Sequence, residues 1–292
     1  AGGAPPAEAS AEESAWLHLA SLYRALGEGD VVLGLHIRFF ARSEATRKAV
    51  AAQLAGETSL AYDLFSDALD DAEADIPRAE KQLWWKEKLA CAADLGDWDY
   101  LALDIEEEVG GGKPRDPDGW HLVAMLEGEH RRRLPLFARA CINLKDDDRA
   151  EELRGQLRGL WQNADEPGRL FLEEAAGLQL ALVSVAGGQL DRARALLAAQ
   201  GRGLRRRWAQ LHPLTGALRH DAVLKLQPLV ETGDCVALLH RHPGVKVPEP
   251  AIAAMVETWL ARDPSSAHGG ASAWEDLLGA RLLLLDCLAR HG

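Results

Sequence analysis

The sequence predicts an all-α protein, an irregular helical-repeat solenoid of about a dozen helices in antiparallel pairs. Three observations predict it. The chain of 292 residues holds 49 Ala and 48 Leu against 13 Val, 5 Ile and 5 Thr, and the first two head the helix-propensity ranking whereas β-branched residues favour strands. Apolar residues recur at helical spacing almost throughout. Glycine-acid pairs punctuate the pattern, with none of the Asn-Gly or Asp-Gly hairpin signals between alternating runs that a β protein would show.

The elements follow in order. Residues 1–14, rich in Ala, Gly, Pro and Glu, read as a flexible linker, and the absence of an initiator Met leads to the expectation of a piece of a longer protein. Ser14 can cap a helix with the apolar face Trp16, Leu19, Leu22, Tyr23 and Leu26, and Gly27-Glu28-Gly29 ends it and offers Asp30 as the next cap. A second helix runs through Leu33, Ile37 and Phe40. Ser43 caps a third, Gly56-Glu57-Thr58 turns into a fourth, and Pro77 opens a fifth that stops at Gly96-Asp97. Trp98 to Val109 make a sixth. Residues 110–119, with three consecutive glycines and two prolines, predict an internal linker between a first repeat segment (15–109) and a second (120–292). Helices then resume at Trp120 to about Asn143, and continue from Asp148 to Trp161, Arg169 to Ala186 and Asp191 to Gln210. The last four are Leu214 to Val230, Cys235 to His240, Pro250 to Ala261 and Ala273 to Leu288.

The turns share a pattern. Gly56 is followed by Ala61, Phe65 and Ala68, Gly96 by Leu101 and Ile105, and Gly188 by Ala193 and Leu197. A glycine ends one helix in the left-handed conformation, the small residue lets the antiparallel partner approach, and the large one fills the core between them. This is the second-helix half of a TPR/HEAT-like hairpin, repeated at irregular intervals.

Bulk properties exclude several functions. No apolar run reaches the roughly 20 residues of a membrane span, so no membrane partner is expected. Residues 1–130 carry 11 basic and 26 acidic side chains, which disfavours nucleic acid there, and no direct nucleic-acid contact is expected. Two basic clusters, Arg131 to Arg133 and Arg202 to Arg207, read as solvated faces. Cys91, Cys141, Cys235 and Cys287 are dispersed, as in buried thiols of a reducing compartment. Cys235, His240 and His242 would make an unusually spaced ligand set lacking a fourth member, so no metal is expected. Gly110-Gly111-Gly112-Lys113 continues into Pro114 and is no phosphate loop. Glu106, Glu107 and Glu108 are consecutive and read as a solvated face. The nine Trp read as packing between helix pairs. No catalytic, cofactor-binding or metal residue is assigned, and no cofactor is expected.

One resemblance goes beyond composition. Residues 16–35, "WLHLASLYRALGEGDVVLGL", then "AVAAQLAGETSLAYDLFSDALDDAE" and "DLGDWDYL", and at the end "ETWLARDPSSAHGGASAWEDLLGARLLLLDCL", occur in the order found in the FAT region of the phosphatidylinositol 3-kinase-related kinases. The chain resembles that region, and within the family it is most similar to the kinase of DNA double-strand-break repair by non-homologous end joining. The resemblance implies a nuclear scaffold whose partners are the kinase domain and flanking helical repeats of its parent chain and, through that chain, DNA-end-binding proteins. The parent would be a Ser/Thr kinase with its catalytic residues outside this segment. Two competing readings remain: the FAT segment of another family member, and a freestanding TPR-like protein-interaction module. As an excised solenoid segment, the 292 residues are expected to self-associate through uncovered apolar faces.

Overall fold

The computed structural model of the chain describes residues 11–26, 28–41, 43–70, 76–110, 120–212, 216–263 and 271–290. Among these, all regular structure is helical, arranged as successive hairpins of the helical-repeat solenoid class. The chain divides into two compact units, Ala1–Asp97 and Trp98–Gly292. The division falls at the turn after Gly96. The glycine-rich stretch 110–119 begins inside a helix at Gly110 and otherwise lies outside the described residues.

The first unit contains α1 (Ala11–Ala25), α2 (Gly29–Leu35), a single π turn (His36–Phe40), α3 (Glu44–Leu54), α4 (Thr58–Asp70) and α5 (Arg78–Leu95). Helix α1 starts at Ala11, before the expected cap Ser14. Asp30 sits within the first turn of α2 rather than capping it. Trp16 stacks on Phe39 with centroids 3.9 Å apart and ring planes 8° from parallel. Ser43 does cap α3, its hydroxyl accepting from the Ala45 amide at 3.1 Å. The core of α3, α4 and α5 is made of Ala49, Val50, Ala61, Phe65, Trp84 and Cys91, all buried. Inside it the Trp84 indole donates to Thr46 Oγ1 at 2.7 Å, and the Thr46 hydroxyl donates to Glu80, which also receives the Ser43 amide.

The second unit contains α6 (Trp98–Gly110), two 3₁₀ segments (Trp120–Leu126 and Gly128–Arg133), α7 (Leu134–Asn143), α8 (Asp147–Asn163) and α9 (Glu166–Ala186). It continues with α10 (Leu190–Gln210), α11 (Gly216–Arg241), α12 (Glu249–Leu260) and α13 (Ala271–Arg290). The predicted α-helix from Trp120 is 3₁₀ up to Arg133, interrupted by Gly128 at φ 53°. Helix α11 runs unbroken where two segments were expected. Pro228 lies inside it, and burial of Leu229, Glu231, Thr232 and Cys235 outweighs the cost of about 3 kcal/mol of an interior proline. Helix α9 bends at Ala176 (φ −136°), and the Gln200 amide from α10 donates to the Glu173 carbonyl that the bend frees.

Three glycine turns follow one rule. At Gly56, Gly96 and Gly188 φ is 80°, 72° and 70°. In each turn the next residue reaches back five positions (Glu57 to Ala52 at 3.0 Å, Asp97 to Ala92 at 3.0 Å, Gln189 to Ser184 at 2.8 Å), the hydrogen-bond signature of a Schellman cap. The Glu57 and Gln189 carbonyls then accept the amides of Ala61 and Ala193, opening the following helix at once. Ala61, Leu101 and Ala193 are fully buried, as the pattern requires. After Gly188 the larger core residue is Leu196, with Leu197 only half-buried.

Two glycine substitutions of opposite sign test this account. Gly188→Ala forces a Cβ into the left-handed region and should lower stability by about 1–2 kcal/mol. Gly203→Ala, in the interior of α10 with nothing within 4 Å of its added methyl, should raise it by about 0.5–1 kcal/mol. Urea unfolding of the two variants measures both.

Candidate functional site

Several side-chain hydrogen bonds between residues distant in sequence converge on α13. Its second turn carries Glu275 and Asp276, and both bond to residues distant in sequence. The Trp98 indole donates to Glu275 Oε1 at 2.7 Å. Arg139 on α7 donates through Nε to Asp276 Oδ1 at 3.0 Å and through Nη2 to Ser272 Oγ at 2.6 Å, with its guanidinium 4.8 Å above the Trp98 ring. Asn143, at the end of α7, donates to the same Asp276 oxygen at 2.7 Å. Gly279 lets α13 come this close: any side chain there would collide with Asn143.

One turn further, Arg281 anchors the other side. It makes a bidentate pair with Glu231 of α11 (2.8 and 2.9 Å), bonds Asp263 at 2.7 Å and donates to the Trp259 carbonyl at 2.8 Å. Arg281 and Glu231 are both buried. Hydrogen bonding by Glu231, against the cost of burial, holds the guanidinium even more firmly protonated than usual. Leu277, Ala280, Leu283, Leu284 and Leu288 fill the core along the same helix. Thus α13 is fixed by apolar packing along its length and by two charged clusters, one in its second turn and one at its middle.

The residues that carried the resemblance meet here. Trp98 of "DLGDWDYL" bonds Glu275 of "AWEDLL", and Trp259 and Asp263 of "ETWLARD" both bond Arg281. Pro264 of that last motif lies outside the described residues. Sequence reading placed these motifs in order but had no signal that they touch. It also missed Arg139 and Glu231, which belong to none of those motifs, and gave no role to Arg281, which lies inside the last of them.

Other readings change. Of the three consecutive glutamates only Glu107 is exposed. Glu106 is buried and paired with Arg149, while Glu108 pairs with Arg133, so this is an ion-paired face of α6. Arg133 is thereby half-buried, and Arg131 lies over the Phe171 ring at 4.7 Å, so the Arg131 to Arg133 cluster is packed as well as solvated. The Trp are not uniform: Trp84, Trp98 and Trp259 are buried, whereas Trp208 is exposed. Cys235 faces the interior while His240 lies 3.6 Å from Asp191 at the surface, so the structure does not bring that ligand set together. Among the described residues no group of His, Cys, Asp and Glu is arranged to hold a metal ion, and no helix is long and apolar enough to cross a membrane. All four cysteines are buried free thiols. Burial pushes Cys235 from 9.0 up to about 12 and Cys287 up to about 11, and raises Cys141 further.

Comparison with known proteins finds relatives at low identity. No family model matches the chain. It is 22% identical over 284 residues to the DNA-dependent protein kinase catalytic subunit of Gallus gallus, covering 94% of this chain and 7% of that protein. The corresponding protein of Xenopus laevis is 23% identical over 283 residues, covering 93% and 6%, and that of Canis lupus familiaris 22% over 276, covering 93% and 6%. The chain therefore spans well under a tenth of the length of these curated relatives.

Two measurements probe the buried groups. Arg281→Ala leaves Glu231 buried and uncompensated and should cost about 3–5 kcal/mol in urea unfolding, while the double change Arg281→Met with Glu231→Leu should recover most of the loss. Below pH 9 the thiols are neutral in both states. Above it the unfolded chain releases protons that folded Cys235 and Cys287 retain, so stability present at pH 8 should decline as pH rises from about 9 towards 12. A thiol reagent at pH 8 should label none of the four cysteines until denaturant is added.

Proposed function

We propose that this chain is a FAT-like helical scaffold segment of a DNA-dependent-protein-kinase-like Ser/Thr kinase. In this reading it supports and regulates the kinase domain in nuclear double-strand-break repair by end joining. One observation carries the reading: similarity to the kinase subunits runs collinearly along 93% or more of the chain. The fold class supports it, since stacked hairpins present long lateral faces suited to holding a neighbouring domain. The α13 clusters support it too. They tie α6, α7, α11 and α13 into one unit, so a displacement of α13 would be felt at each of them. The partners proposed are the kinase domain and adjoining repeats, with DNA-end-binding proteins engaged through the rest of the parent chain. The segment itself would contribute no catalytic residue and no cofactor site.

Sequencing the full-length transcript on both sides of the segment tests this. A continuous reading frame into a kinase domain, with its catalytic-loop and metal-binding Asp motifs, is the expected result. A stop codon soon after Gly292 with an initiator Met just before Ala1 would overturn it in favour of a freestanding interaction module. A kinase domain grouping with another family member would retain the scaffold and change the pathway.

A further inference from the structure

The second half of α10 and the first half of α11 form an edge of the second unit where, between Leu196 and Pro228, no described residue is buried. Two features coincide on it. Along α11, Arg219, Val223, Leu226, Val230, Gly233 and Ala237 follow a four-three-four-three-four spacing, the seam of a coiled-coil helix. Helices that pack through such a seam bury it, yet here Val223 is 47% exposed, Leu226 38% and Val230 41%, and the space beside Gly233 is open. Among the described residues, the seam's aliphatic side chains are left open to solvent along its middle.

The second feature is charge. From Arg202 to Val230 the sequence holds six basic side chains and a single acid, Asp221, in a chain whose net charge is −12. Arg202, Arg205 and Arg206 lie on one outward face of α10, three and four residues apart, and make no ion pair among the described residues. Arg207 reaches Glu174 at 3.5 Å, and Lys225 pairs with Asp221. Arg219, at the near end of the seam, lies 4.9 Å above the exposed Trp208 ring, so the seam abuts the stretch of α10 that carries the arginines.

We propose that this edge docks an amphipathic helix from a partner protein, with aliphatic residues on the α11 seam and acidic flanks facing the α10 arginines. Both halves of the surface are used: a helix in a groove takes its affinity from seam burial and its choice of partner from flanking charge. A nucleic acid would use the arginines and leave three aliphatic side chains in water, so the exposed Val223, Leu226 and Val230 argue for protein. The inference rests on the geometry of this edge alone and is independent of the proposed parent kinase.

The test uses the 292-residue chain and three labelled probes in fluorescence anisotropy. One is a helical peptide of about three heptads with leucine at a and d and glutamate at e and g. The second is the same peptide with lysine for glutamate, and the third a short DNA duplex. The glutamate peptide should bind, more weakly as salt rises, and at least about tenfold more tightly than the lysine peptide. Leu226→Asp should weaken it by about tenfold or more, and so should the combined Arg202→Glu, Arg205→Glu and Arg206→Glu variant. All four positions are exposed, and unchanged circular dichroism melting confirms that the variants fold. No binding of the glutamate peptide, equal binding of the lysine peptide, or indifference to Leu226→Asp would each overturn the proposal. Preference for the duplex would replace it with a nucleic-acid surface.

Discussion

Packing in both units depends on a reversal of the chain within two residues. A helix ends with unsatisfied carbonyls, and the next helix begins with unsatisfied amides. At Gly56 and Gly188 a single left-handed residue deals with both: backbone bonds close the carbonyls behind it, and the residue after it supplies the first acceptor ahead. Two helices joined this tightly must run antiparallel and close together, and this is why Ala61 and Ala193 are small and fully buried. The larger Phe65 and Leu196 then fill the space further along, where the axes diverge. From this constraint follow the composition, rich in alanine and leucine, and the irregular repeat, because the rule fixes each turn without fixing the helix lengths between turns.

A protein built this way has local hairpins and needs separate devices to hold elements remote in sequence. Apolar contacts hold without being directional. The charged clusters on α13 add direction: Arg281 has a bidentate carboxylate, a second carboxylate and a carbonyl placed around it, and Asp276 receives donors from two residues of α7. Such buried ion pairs add little net stability over well-packed aliphatic residues, since desolvation offsets most of the attraction. Their effect is selectivity of arrangement, because sliding α13 by one residue would leave several charges unpaired in the interior. A scaffold that transmits displacement benefits from that property more than from a deeper energy minimum.

Much of the fold was legible in the sequence for a local reason. Glycine turns, the Ser43 cap and the three-four apolar spacing act over a few residues, and each was where its chemistry placed it. The differences arose where tertiary contacts override local preference. Pro228 and Gly233 argue for a break, yet the buried residues around them keep α11 continuous. Glu106 reads as a surface acid until Arg149, from a different helix, is packed against it. The α13 clusters were invisible for the same reason: Trp98 and Glu275 lie 177 residues apart, and no spacing rule connects them.

The edge formed by α10 and α11 shows what a local reading assigns wrongly when it treats charge by itself. An arginine run on a helix reads as a solvated face, and Arg202, Arg205 and Arg206 are indeed exposed. A face selected only for solubility has no reason to place valine and leucine at coiled-coil spacing on the adjoining helix, where water must cover them. At the two ends of the edge Leu196 and Leu229 are buried, and the α13 carboxylates are matched to donors. Exposed aliphatic residues such as Leu170, Val245 and Leu282 occur elsewhere in the unit, but here three share one seam beside a basic helix face. Their coincidence on one edge marks it as the place where the complement comes from another molecule.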